Sequence, residues 1–218
     1  MKQLVIFDWD GTLMDSTGRI VDCLCLAAAD TRLPVLAPER ARSIIGLGLP
    51  EAIRSLYPGI SPDDAETMRQ HYARHFIAAE AVPSSLFPGV RELLDELAGS
   101  GVQMAVATGK SRRGLERVWQ GSDLAGYFVA SRCADESRSK PHPAMVHELL
   151  DELGVTADKA LVVGDTSFDL EMARNAGVES VAVSWGAHPR DLLMQYSPRM
   201  VLDDIRGILP LLINSEIA

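Results

Sequence analysis

After residue 84 the chain alternates between short apolar runs and amphipathic stretches. Apolar runs near residues 102 to 107, 127 to 130, 160 to 164 and 179 to 183, with an earlier one near 3 to 7, have the length of buried strands. Between them, Val90 to Leu97 carries apolar residues at helical spacing and stops near Gly99 and Gly101, and Pro143 to Leu153 repeats the pattern up to Gly154. Strand and helix in alternation predict an α/β fold, a doubly wound parallel sheet with crossover helices on its faces. Residues 15 to 83 break the rhythm. They hold helical stretches, Pro34, Pro38, Pro50, Pro58 and Pro62, and no strand-like run, which predicts a helical insert directly after the first strand. The expected division is a core of residues 1–14 and 84–218 and an inserted unit of residues 15–83, with Pro83, Ser84, Ser85, Pro88 and Gly89 as the second linker.

A chain of 218 residues with 47% hydrophobic content can bury one core and a sizeable insert. The formal charge of -9 argues against nucleic acid or an anionic membrane as the main partner. If the substrate is an anion, local cations must bind it. Cys23, Cys25 and Cys133 have neither metal-ligand spacing nor an even disulfide framework, so they read as buried small hydrophobes in a reducing compartment. The first strand follows one lysine, with no long apolar leader, and no run approaches the ~20 apolar residues of a membrane span. The expected location is the cytoplasm.

The most informative segment is Val5-Ile6-Phe7-Asp8-Trp9-Asp10-Gly11-Thr12-Leu13, an apolar strand that ends in two acids one residue apart and then a glycine turn. In an extended backbone residues two apart point the same way, so Asp8 and Asp10 share one space. Paired carboxylates repel, and unless a cation relieves them one pKa rises, so the pair is costly as structure alone. A metal-assisted site explains it economically.

Asp8-Trp9-Asp10-Gly11-Thr12-Leu13 resembles the D-x-D-G-T-L motif of the haloacid dehalogenase-like hydrolases, and the following Asp15-Ser16 resembles their phosphoglycolate phosphatase-like branch. Val106-Ala107-Thr108-Gly109, Lys140-Pro141-His142-Pro143 and Val162-Val163-Gly164-Asp165-Thr166-Ser167-Phe168-Asp169 follow in the family's order, the last fitting G-D-x-x-x-D. Trp9 stands where phenylalanine is usual, and Gly109-Lys110 where Asn-Lys is common.

This resemblance implies a Mg²⁺-dependent phosphatase of small phosphomonoesters, with the insert as its cap. It implies Asp8 as the nucleophile that takes up the phosphoryl group, and Asp10 as the acid and then the base. Mg²⁺ would be held by Asp8, the backbone carbonyl of Asp10 and Asp165, with Asp169 in the same shell. Thr108, Gly109 and Lys140 would contact the phosphoryl oxygens, with Thr12 and the cap loop glycines Gly46 and Gly48 as further substrate contacts. Phosphoglycolate is the leading named substrate. A sugar-phosphate mutase would use the same nucleophile, and a non-catalytic binding module would be expected to have lost a catalytic group. A dehalogenase is disfavoured by Asp10, since its relatives lack the second acid.

Other features carry less. His71 and His75 sit four apart, but Tyr72-Ala73-Arg74 lacks the glutamate of H-E-x-x-H, which favours a packed or solvated helix face. Gly109-Lys110-Ser111 imitates the end of a P-loop, yet Met104 stands where its first glycine belongs. Arg42 and Arg54 flank Gly46-Leu47-Gly48 and are weak candidates for meeting an anionic leaving group. His142 has no defined role.

Overall fold

The computed structural model describes residues 2–212. Strands β1 (Leu4–Phe7), β2 (Gln103–Thr108), β3 (Ala130–Cys133), β4 (Ala160–Gly164), β5 (Glu179–Val183) and β6 (Val201–Leu202) form one parallel six-stranded sheet in the order β3-β2-β1-β4-β5-β6. Helices α1 (Thr17–Asp30), α2 (Pro38–Arg42), α3 (Leu49–Leu56) and α4 (Pro62–Ala79) lie between β1 and α5 (Val90–Ser100). The remaining connections carry α6 (Arg112–Gln120), α7 (Ala144–Leu153), α8 (Ser167–Asn175) and α9 (Arg190–Met194), and α10 (Leu209–Leu212) follows β6. This is the expected doubly wound α/β fold.

Every residue of β1 is 0% exposed, because helices cover both faces of the sheet. Val5 and Phe7 pack on one side with Leu93, Leu97 and Leu115, and Leu4 and Ile6 on the other with Met145, Leu149 and Met172. Burying each such side chain stabilises the fold by roughly 1.5–3 kcal/mol before chain entropy is counted. Gly101 and Gly154 close α5 and α7 at φ of 79° and 64°, as the sequence predicts.

Phe7 is in register with Val106 of β2 and Val163 of β4. Asp8, Thr108 and Asp165 therefore emerge at the same edge of the sheet, where strand order reverses around β1 and ligands bind in such folds. The insert has its own apolar core, which includes Ile20, Leu24, Ile53, Met68 and Phe76. Its two crossings to the core run side by side: the Asp15 amide donates to the Ser85 carbonyl at 2.9 Å and the Phe87 amide to Leu13 at 3.0 Å. Among the described residues no helix is long and apolar enough to cross a membrane.

One strand expectation needs correction, and one strand has no counterpart among the expectations. Residues 125–127 form a 3₁₀ turn and β3 starts at Ala130, because Tyr127 and Phe128 are used in packing against the core. The two-residue β6 has no run long enough to signal a strand.

Candidate active site

Lys140, buried with only 2% of its surface exposed, reaches across the end of the sheet. Its Nζ donates to Asp8 Oδ1 at 2.5 Å and to Asp169 Oδ1 at 2.6 Å. Asp169 sits there because it is the third residue of α8 and completes a capping box: its Oδ2 accepts from the Thr166 amide at 3.1 Å and hydroxyl at 2.6 Å. Asp165 is fixed by the Thr12 hydroxyl on Oδ1, at 2.8 Å, and by the Ala187 amide on Oδ2, at 2.6 Å. A carboxylate oxygen from each of Asp8, Asp165 and Asp169 lies within 4.8 Å of the other two.

One ammonium faces three buried carboxylates, so negative charge is in excess. Burial pushes the Asp8 carboxyl well above its ordinary range, with Lys140 opposing and Asp169 and Asp165 adding to the rise. Burial, then Asp169, pushes Asp165 up to about 7. Burial disfavours the Lys140 ammonium, but Asp169 and Asp8 outweigh it and hold its pKa above the usual value. Asp8 Oδ2 is buried with no hydrogen-bond partner among the described residues. An orphaned carboxylate oxygen among three acids fits a hard divalent cation with oxygen ligands, Mg²⁺ above all.

Asp10 is held apart from this cluster. Its Oδ1 accepts from the Ser16 hydroxyl at 2.5 Å, and its Oδ2 is paired with Lys110 Nζ at 3.0 Å. Asp8 and Asp10 nevertheless line one cavity of about 370 Å³ between the sheet edge and α4.

Against this geometry, the family model of the haloacid dehalogenase-like hydrolases matches residues 5–183. The chain belongs to that family. This haloacid dehalogenase-like hydrolase is 36% identical to a protein named probable phosphatase IndB from Dickeya dadantii, over 93% of this chain and 90% of that one. It is 32% identical to the phosphoglycolate phosphatase of Pectobacterium atrosepticum, over 96% and 92% of the two chains. It falls with the phosphoglycolate phosphatase-like branch. A crystal structure of a hydrolase from Pseudomonas syringae shares the fold, with a TM-score of 0.87, 24% identity and 97% and 98% of the two chains covered.

The hydrolase brings most of the expected residues together. Asp8, Asp165, Asp169 and Lys140 form the charged cluster, and Thr12 orients Asp165. Thr108 is fully buried at the end of β2, its hydroxyl oxygen accepting from the Lys110 amide at 3.2 Å. Gly109 and Gly46 both line the cavity. A Cβ at Gly109 would lie 2.5 Å from the Leu47 carbonyl oxygen, so only glycine lets the insert loop approach the sheet edge. Gly48 does not line the cavity, and its amide donates to Ser139 Oγ at 2.8 Å. Arg42 donates to the Thr17 hydroxyl and Arg54 to Glu51, and neither lines the cavity.

The sequence assigns no role to three further residues near the site. Lys110 belongs to a false P-loop, and its role appears only when β2 and β1 are placed side by side. Ser16 belongs to the Asp15-Ser16 match, which by itself gives no contact for its hydroxyl. His188 is buried, with its pKa lowered by burial; its Nδ1 accepts from the Ser167 amide at 3.0 Å, which leaves Nε2 to donate to the Ser43 carbonyl of the insert at 3.2 Å. His142 Nδ1 accepts from the Ala144 amide. His71 and His75 are half-buried on α4, where both meet Asp30 Oδ2, at 3.0 and 2.7 Å.

Proposed function

We propose that the protein is a Mg²⁺-dependent phosphatase of small phosphomonoesters that works through an aspartyl-phosphate on Asp8. The observation that carries this reading is the buried Asp8 carboxylate, with Oδ1 held by Lys140 and Oδ2 left without a partner, on the floor of a cavity that also contains Asp10. Relatives named phosphoglycolate phosphatase support the reaction class and make phosphoglycolate the first named substrate to assay.

The Asp8 carboxylate attacks phosphorus, forming an acyl-phosphate bond as the ester P–O bond breaks. Asp10 gives its proton to the departing alkoxide. It then takes a proton from the water that attacks the acyl-phosphate, releasing phosphate and restoring Asp8. Asp8, Asp165 and Asp169 would hold Mg²⁺, which when bound supplies positive charge against the phosphoryl oxygens. Lys140 supplies a second, fixed positive charge, and the Gly109 amide, at the cavity wall, would donate to a phosphoryl oxygen. Ser16 and Lys110 fix the Asp10 carboxylate facing the cavity. Helices α1 to α4 act as the cap, residues 15–83, and exclude water around the leaving group.

The test is phosphate release from a panel of phosphomonoesters with Mg²⁺ and with chelator. Mg²⁺-dependent release by the native protein and none by Asp8→Asn supports the reading; release that persists in Asp8→Asn overturns it.

A further inference from the structure

The cavity walls differ sharply in character. At its floor stand Asp8 and Asp10, whereas the insert contributes Ile20, Leu24, Ile44, Tyr72, Phe76 and Ile77. Tyr72 and Phe76, one turn apart on α4, pair with ring centroids 5.7 Å apart; both line the cavity, Tyr72 partly exposed and Phe76 buried behind it. The Tyr72 hydroxyl has no hydrogen-bond partner among the described residues. Burial, then the Asp10 carboxylate, holds its phenol well above the usual range.

A carboxylate on the leaving group would need a cation to receive it, and most of those lining the cavity are engaged. Arg69 forks onto Glu66 at 2.5 and 2.6 Å, Arg117 is paired with Glu80 at 2.9 Å, and Lys110 serves Asp10 while standing 4.6 Å above the Phe76 ring. Arg113 alone has no acidic partner among the described residues, and it is exposed. A two-carbon acid esterified to phosphate at Asp8 would leave the apolar wall unfilled.

We infer that the preferred substrate is a phosphomonoester whose leaving alcohol carries a planar ring, packed against Tyr72 and Phe76. This deepens the phosphatase reading and rests on it for turnover. Ring-on-aromatic contact separates ring-bearing from small ring-free substrates, because the latter have no apolar face to bury against the wall. The Tyr72 hydroxyl supplies one polar contact to a ring heteroatom or substituent.

The experiment compares pyrimidine nucleoside 5′-monophosphates and pyridoxal 5′-phosphate with 2-phosphoglycolate and glycerol 3-phosphate. Turnover is measured on the native protein and on Tyr72→Leu, which keeps the apolar volume but removes the ring. Calorimetric binding is measured on Asp8→Asn, which reports recognition without turnover. The expected result is a higher kcat/KM for at least one ring-bearing substrate, and a ratio to glycerol 3-phosphate that falls about tenfold in Tyr72→Leu through KM, the size expected for losing one stacking contact. Preference for 2-phosphoglycolate, lost on Arg113→Ala, overturns the inference while leaving a phosphatase. Tight binding of a ring-bearing compound by Asp8→Asn, with no turnover of anything by the native protein, overturns the phosphatase reading and with it the substrate assignment, and leaves only the ring contact at Tyr72 supported. Neither binding nor turnover of ring-bearing compounds overturns the inference.

Discussion

Lys140 Nζ lies 2.5 Å from Asp8 Oδ1, and both side chains are buried. Because the ammonium also meets Asp169 at 2.6 Å, it ties the end of β1 to the start of α8 and is, among the described residues, the one positive group inside the acid cluster. Lys140→Met is expected to abolish measurable turnover. It also leaves three buried carboxylates without their counter-charge, for which a destabilisation of roughly 3–5 kcal/mol is expected. Urea denaturation in chelator measures this, and a midpoint unchanged from the native protein contradicts it.

The acid cluster predicts how metal binding depends on pH. Asp165, pushed up to about 7, titrates in the folded state above the value of an unfolded aspartate, ~3.9. A raised folded pKa means that its contribution is fully present below the unfolded value and is lost as pH rises through about 7. The metal-free protein should lose stability over that window. Mg²⁺ binds the ionised carboxylates and releases the proton, so the rise in Tm on adding Mg²⁺ should grow between about pH 6 and 8. A Tm increment that is flat, or that shrinks with pH, contradicts a metal held by these acids.

Asp10, fixed by Ser16 at 2.5 Å and Lys110 at 3.0 Å, is placed for proton transfer and stands outside the Asp8–Asp165–Asp169 cluster. Asp10→Asn should lower kcat by about 10²- to 10⁴-fold. Its Mg²⁺-induced Tm shift should stay close to native, because the carboxylate is not among the three that approach one another. Loss of that shift would assign Asp10 to the metal instead.

Gly109 brings the insert loop against the sheet edge. A Cβ there meets two carbonyl oxygens, of Leu47 at 2.5 Å and Gly46 at 2.8 Å, neither of which can rotate away as a side chain does. Gly109→Ala should displace the loop, lower Tm, and reduce kcat/KM by up to about 10²-fold, the scale of a misplacement near 1 Å. Native kinetics in this variant contradict the loop's part in closing the cavity.

How much was legible follows from how local each signal is. Asp8, Thr108 and Asp165 each end an apolar run, so their strands could be read in sequence, although their convergence required the β2-β1-β4 order that only the family resemblance implied. The Lys140–Asp169 contact spans 29 residues and depends on a capping box at Thr166, visible as a pattern only once α8 is known to start there. β3 was displaced because Tyr127-Phe128-Val129 has the stronger apolar run, whereas the true edge strand, Ala130-Ser131-Arg132-Cys133, is half polar and only partly covered. The insert's helices were foreseeable from prolines and periodicity. Which of their faces lines the cavity was not, since α4 carries a weak amphipathic pattern and its Tyr72 and Phe76 acquire meaning only opposite Asp10.

The most direct measurement is rapid acid quench of a single turnover with phosphate-labelled substrate and Mg²⁺, followed by mass spectrometry of the peptide that carries the label. The account predicts a transient, near-stoichiometric phosphoryl group on Asp8, absent from Asp8→Asn. Label on another residue, or turnover at native rate with no protein-bound phosphate on the quench timescale, would contradict it.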